Sequence, residues 1–336
     1  MSELRHDPVG GGWTLIAPER AWRPRDVTHA PREVSDPAAC PFCPGHEDLT
    51  PPTRLALSLE GETGWSVRVF ENRFPAVRPE TLEDERAIDA PAPYRAQPGA
   101  GVHEVIVETR RHEDALADYA PAHAALVVEA YAQRLATLRE DMRLAAAVIF
   151  RNDGVAAGAT LSHPHSQLMA LERVPEMLVR EIGCFSQAAT AGAECVLCGA
   201  ITADRAGGRA VFDDGCCVAV STFSAPTPYH MRIAPLRCSS TLADATPDER
   251  ASFGAALVAA ARALRGTLGE VGFNAYLHDE PFSAQRAGLP FHWHADLFPR
   301  LGDRAGFEWG SGVALNVVDP DAAAESLRGG LAREAR

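Results

Sequence analysis

Two histidine motifs and two cysteine pairs concentrate the chemistry available to this chain. The motifs are His163-Pro164-His165 and His292-Trp293-His294; the pairs are Cys40-Pro41-Phe42-Cys43 and Cys195-Val196-Leu197-Cys198. A Cys-x-x-Cys turn offers two thiolates to one ion, and zinc takes four N or S ligands in a tetrahedron. Cys40 and Cys43 need two more ligands, for which His112 and His163 are candidates; for Cys195 and Cys198, Cys238 and His292 hold the equivalent places. This reading expects two zinc ions per chain, both structural, in closed tetrahedra. The alternative is buried cysteine without a ligand, which is common in protein cores. A redox role is disfavoured, because neither pair is read at a strand-to-helix turn that would lower a thiol pKa.

His163 and His165 carry a second possibility. On one strand, residues i and i+2 face the same side, so both rings could serve a single metal. Pro164 between them and Gln167 two residues later count against that arrangement.

The elements that must position these residues alternate between strands and helices. Strands are expected after the turn at Gly11, at Ser66 to Phe70, Val102 to Glu108, Ala146 to Phe150, Val218 to Ser221, Met231 to Ala234, Asn274 to His278 and Trp293 to Phe298. Apolar spacing predicts helices over Pro121 to Leu144, residues 173–190, Pro247 to Leu268 and Pro320 to Arg336. Thr246 is a plausible N-cap with Glu249 three residues on. Val27 to Thr53, rich in Pro and charge, reads as loop, and residues 79–99, with many Pro and Ala and few large apolar groups, read as irregular.

The order of features in the first half returns in the second. Each half has a Cys-x-x-Cys, a strand, a His112 or Cys238 near its end, a long helix and a His-x-His. His112 and His163 are 51 residues apart; Cys238 and His292 are 54 apart. A duplicated α+β unit follows: residues 1–175 form one, 192–336 the other, and 176–191 a connecting helix.

Composition narrows the function class. With 336 residues, 46% hydrophobic and 23% charged, the chain reads as a globular protein with a sizeable core. It has no apolar run of membrane-spanning length and no secretory signal at Met1 to Asp7, so a cytoplasmic, non-membrane protein is expected. The net charge of −13 disfavours nucleic acid. All 32 basic residues are Arg, so any phosphate must be held by Arg, amides, hydroxyls or backbone N–H groups.

Cys40-x-x-Cys43, Glu71-Asn72-Arg73-Phe74-Pro75, Phe150-Arg151-Asn152-Asp153-Gly154 and His163-Pro164-His165-Ser166-Gln167 together resemble the galactose-1-phosphate uridylyltransferase family, a branch of the histidine-triad superfamily. The resemblance runs from about Trp13 to the C-terminal helix. It implies an α+β fold of two tandem histidine-triad units, with a mostly antiparallel sheet, flanking helices and a homodimeric assembly. It also implies an enzyme of galactose and carbohydrate metabolism. His165 would attack the α-phosphorus of a nucleotide sugar, Gln167 would bind the phosphoryl oxygens, and a sugar 1-phosphate would collect the nucleoside monophosphate, UMP. The same resemblance places Arg20, Arg23, Asn72, Asn152, Thr160 and Ser166 around the substrate. Neutral imidazole is a good nucleophile near pH 7, and fixed donors stabilise the charge on a phosphoryl group in flight. Ser166 stands where the family has Gly, and Phe307 to Gly312 lacks the Tyr and Gln of the hexose-binding segment. Those differences, and Gly101 to Glu108, resemble a divergent branch that includes plant phosphorylases of adenylyl sugars.

The resemblance also offers iron at the second metal site, held by Glu181, His278, His292 and His294. Thiolates favour zinc, so Cys195, Cys198, Cys238 and His292 are the expected set. His294, the counterpart of His165, is expected to be a vestige; His6, His29, His46, His103, His123 and His230 are read as structural or surface residues. Two functions compete with transfer to a sugar phosphate: phosphorolysis or hydrolysis of a nucleotide sugar such as an ADP-sugar through the same histidine, and a zinc-held binding protein without catalysis.

Overall fold

The computed structural model describes residues 1–22, 36–80 and 88–336. Strands β1 (Glu3–His6) and β2 (Trp13–Ile16) open the chain. The first half then supplies β3 (Thr53–Leu57), β4 (Val67–Glu71), β5 (Gly101–Val107), β6 (Ala146–Asp153) and β7 (His165–Leu171). The second half supplies β8 (Ala210–Asp213), β9 (Cys217–Val220), β10 (Met231–Pro235), β11 (Phe273–His278) and β12 (His294–Pro299). These ten form one antiparallel sheet in the order β3-β4-β5-β7-β6-β11-β12-β10-β9-β8, while β13 (Ala314–Asn316) joins β1 and β2 in a small second sheet. From either edge inward the strand sequence is the same, and the halves meet where β6 pairs with β11, Asn152 opposite Asn274.

The strands alternate, so each face of the sheet has its own cover. One face carries Ile106, Ile149, Leu168, Leu277 and Leu297 into the main core against α1 (Pro121–Arg139), α4 (Pro247–Leu268) and α7 (Pro320–Glu334). Two close helix contacts require glycine. A Cβ on Gly254 of α4 would come within 2.8 Å of the Ala124 backbone, and one on Gly266 within 2.2 Å of the Gly330 carbonyl. The capping box at Thr246 and Glu249 forms as expected, because each side chain accepts the other's orphan N–H. The opposite face is covered in the second half by α2 (Glu176–Thr190) and α3 (Val196–Ala206) over Ala146, Val218, Val220 and Ala234. In the first half, Cys40 and Phe42 pack on Phe70, Val105 and Val107.

Three expectations are corrected. α1 ends at Arg139, not Leu144, because the chain turns at Asp141 so that Leu144 can bury at the entry to β6. His163 is not on a strand: it sits in a bend, and β7 begins at His165. α3 was not foreseen, since its first turn is the Cys195 to Cys198 motif itself; the pair stands at a helix N-terminus after all. Two short helices, α5 (Phe282–Arg286) and α6 (Gly306–Ser311), complete the fold. No helix among the described residues is long and apolar enough to cross a membrane.

Candidate active site and metal centres

His165 is the first residue of β7, on the face opposite α1 and α4, and is almost entirely buried. Its Nδ1 lies 2.8 Å from the His163 carbonyl. A carbonyl only accepts, so Nδ1 carries the proton and Nε2 keeps a lone pair. Burial, with the nearby Arg151 charge adding to it, pushes the imidazole below its ordinary pKa, against the pull of the His163 carbonyl. The ring is therefore neutral near pH 7, and its Nε2 meets no hydrogen-bond partner among the described residues. Phe42 packs edge-on against it at 5.2 Å between centroids, so the cysteine loop also buttresses His165.

The bend at His163 sends that ring elsewhere. His163 Nδ1 lies 3.6 Å from both Cys40 Sγ and Cys43 Sγ, and His112 Nδ1 lies 3.4 Å from Cys43 Sγ. All four ligand atoms lie within 4.8 Å of one another, a group able to hold a metal ion. His163 Nε2 donates to the Thr109 carbonyl at 2.8 Å, which turns Nδ1 toward the thiols. Burial pushes this imidazole down to about 4, so it presents a lone pair. The two rings thus meet different partners, because Pro164 separates a bend from a strand.

Gln167 lies two residues along β7 on the face of His165, paired in register with Val105. Its Oε1 lies 2.9 Å from His103 Nε2 and accepts from Asn72 Nδ2 at 3.3 Å. Asn152 lies on β6 one step beyond the Arg151–Ser166 pair, hence across from His165, and its Oδ1 accepts from Asn274 at 2.8 Å. Thr160 is exposed in the loop between β6 and β7, and Arg20 is exposed on the turn after β2. Arg23 lies outside the described residues.

Ser166 departs from expectation. It alternates to the helix-covered face, where its hydroxyl donates to Glu108 and lies 2.6 Å from the Tyr131 hydroxyl. The side chain is withdrawn from the face that carries His165 and Gln167. Glu108 also accepts from Tyr119 and Tyr131, each at 2.9 Å, and from Arg151. Burial alone would raise this carboxyl, but Arg151 and the hydroxyl donors outweigh it and hold it below the usual range. The sequence offered Glu108 and Arg151 only as members of quoted motifs and read His103 as a structural or surface residue. A lone polar residue in an apolar strand does not reveal its cross-strand partner.

The second half has a matching group able to hold a metal ion. His292 Nδ1 lies 3.4 Å from both Cys195 Sγ and Cys198 Sγ, and Cys238 completes the group. His292 is thereby withdrawn from the alternative set of four. Glu181, His278 and His294 remain as a separate group of three, with His278 Nδ1 2.9 Å from Glu181.

Residues 1–175 match the model of the galactose-1-phosphate uridyl transferase N-terminal domain. The chain belongs to this family. An ADP-glucose phosphorylase of Arabidopsis thaliana is 29% identical over 97% of the chain and 92% of that protein. A galactose-1-phosphate uridylyltransferase of Thermotoga maritima is 27% identical over 98% of each. The crystal structure of the Arabidopsis phosphorylase with bound ADP-glucose covers 98% of both chains at a TM-score of 0.84 and 27% identity. A uridylyltransferase structure covers 99% of both at 0.74 and 26%. Like these relatives, the chain is an α+β protein with a large antiparallel sheet, and it is an enzyme of nucleotidyl transfer.

Proposed function

We propose that this enzyme moves UMP between a nucleotide sugar and a sugar 1-phosphate in two displacements through His165. The carrying observation is the Nδ1 bond to the His163 carbonyl, which leaves Nε2 as the free nucleophile on the substrate face. In the first step the Nε2 lone pair attacks the α-phosphorus. A P–N bond forms, the bond to the bridging oxygen breaks, and sugar 1-phosphate leaves with that electron pair. In the second step a phosphate oxygen of the incoming sugar 1-phosphate attacks the same phosphorus and the P–N pair returns to Nε2. Gln167 would donate to the phosphoryl oxygens; Asn72, Asn152, Thr160, Arg20 and Arg23 would hold the phosphates and the sugar.

A second reading makes inorganic phosphate the acceptor and adenylyl sugar the donor. It is supported by the likeness to the phosphorylase, whose TM-score exceeds that of the uridylyltransferase structure. Intact-protein mass spectrometry separates the readings. Wild type incubated with UDP- and ADP-hexoses should gain one nucleoside monophosphate, and His165→Gly should not. The isolated adduct is then challenged with hexose 1-phosphate or with inorganic phosphate, and the one that discharges it is the acceptor. No adduct from any donor would overturn both readings.

Zinc fits both Cys/His groups. Bond lengths of about 2.3 Å to S and 2.0–2.1 Å to N put tetrahedral S···N edges near 3.6 Å. The distances present are 3.4–3.6 Å. We assign Cys40, Cys43, His112 and His163 to one zinc and Cys195, Cys198, Cys238 and His292 to another; bound there, each supplies a structural crosslink. The shared strand order of the two halves supports tandem units over 1–175 and 192–336 joined by 176–191. The working form is proposed to be a cytoplasmic homodimer, which light scattering checks.

A further inference from the structure

We propose that His103 is a positioning residue for nucleotidyl transfer: with Asn72 it holds the Gln167 amide so that its oxygen is engaged and its NH2 faces the reacting phosphoryl group. The inference rests on the reading of His165 as nucleophile, and its geometry follows from donor and acceptor accounting alone.

Two backbone N–H groups set the arrangement. The Phe74 N–H donates to Asn72 Oδ1 at 2.9 Å, and the Ala76 N–H donates to His103 Nδ1 at 3.1 Å. A backbone N–H has no acceptor lone pair, so both side chains are oriented by it. Asn72 must turn Nδ2 toward Gln167, and His103 must carry its proton on Nε2. Both then meet one atom, Gln167 Oε1, at 3.3 and 2.9 Å. With Oε1 taken twice, the opposite amide orientation would set NH2 against two donors. The Gln167 NH2 has no protein acceptor among the described residues, and its side chain shares the face of β7 with His165. Two N–H bonds are thus kept for an anionic oxygen beside His165.

The cradle is rigid for the same reason. His103 is buried on β5, two strand positions from Val105, the register partner of Gln167. Asn72 directly follows β4, with its own N–H donated to the His103 carbonyl at 2.8 Å. Fixed donors lower the barrier most when they need not reorganise as charge develops.

The test combines a structural and a kinetic readout on the metal-loaded enzyme. Ring 15N shifts of His103 should report the Nε2–H tautomer in the wild type. His103→Leu should slow single-turnover formation of the His165 adduct from a UDP- or ADP-hexose on the order of 10- to 100-fold, with KM little changed. His103→Gln, which retains a donor of similar reach, should recover most of the rate and controls for folding. In a Gln167→Ala background, His103→Leu should add nothing, since the two act through one group. The Nδ1–H tautomer, an undiminished rate in a folded His103→Leu, or full additivity with Gln167→Ala would each overturn the proposal. If wild type itself forms no adduct, the nucleotidyl reading falls and the role of His103 falls with it, whatever the tautomer shows.

Discussion

His163-Pro164-His165 and His292-Trp293-His294 are nearly the same device locally. In both, the first histidine points Nδ1 at two cysteine sulfurs, and the second lies 2.8 or 3.0 Å from the carbonyl of the first. Their surroundings differ. Two residues beyond His165 stands neutral Gln167, held by His103 and Asn72; two beyond His294 stands Asp296, paired with Arg232 at 2.8 Å. His165 has 8% of its surface exposed, whereas His294 has none and its Nε2 is buried without a partner among the described residues. Glu181 reaches from α2 to His278, beside His294. On the proposed reading, with one active centre at His165, a backbone-held imidazole is not sufficient for catalysis. The second half places two carboxylates around it, one paired with Arg232 and the other against His278.

The largest effect expected from this contrast is at His165. His165→Gly should reduce turnover by several orders of magnitude while the protein stays folded and keeps both metals, as measured by steady-state kinetics, circular dichroism and elemental analysis. His294→Gly should leave turnover nearly intact. If the two losses are comparable, the second motif is not a vestige.

The next contrast is between the metal loop and the donor beside the nucleophile. Cys43→Ser should lower both melting temperature and adduct rate, because the Cys40–Cys43 loop carries Phe42 against His165. Gln167→Ala should cost on the order of 100-fold in adduct rate at unchanged melting temperature. Cys198→Ser, in the second centre, should lower melting temperature but leave the adduct rate close to wild type. A normal adduct rate in Cys43→Ser after loss of that metal would refute the buttressing argument.

A third comparison concerns two buried pairs, Glu108–Arg151 behind β7 and Asp296–Arg232 in the second half. Glu108→Gln leaves Arg151 buried with one partner removed, a loss of about 3–5 kcal/mol in denaturant unfolding. Because the folded carboxyl titrates below its unfolded value of about 4.3, its contribution is present above that pH. It is lost as pH falls through the lower, folded value. The wild type and Glu108→Gln should therefore converge in stability only in acid; a constant gap down to pH 3 would show that the charge is not what stabilises. The smallest effect is expected at Ser166→Gly, which removes one donor from Glu108 and should shift stability by about 1 kcal/mol.

The sequence by itself determined the ligand groups, the capped helix at Thr246 and the repeated order of features. Each rests on spacing within one element or on residue types rare enough to find one another: four Cys and His side chains at two matched separations have few other uses. Tertiary structure decided the rest. Whether His163 and His165 share a purpose depended on where β7 begins, and a bend of one residue sends the two rings to different partners. Ser166 went to the core because strand alternation against Arg151 and Ile106 leaves no choice once the register is set. His103 and Gln167 lie 64 residues apart. They meet only because β5 pairs with β7 rather than with its sequence neighbour β6, a choice made by the sheet as a whole. Periodicity reports which residues share a face of one strand, but cross-strand partners and burial depend on strand order, which no local pattern encodes.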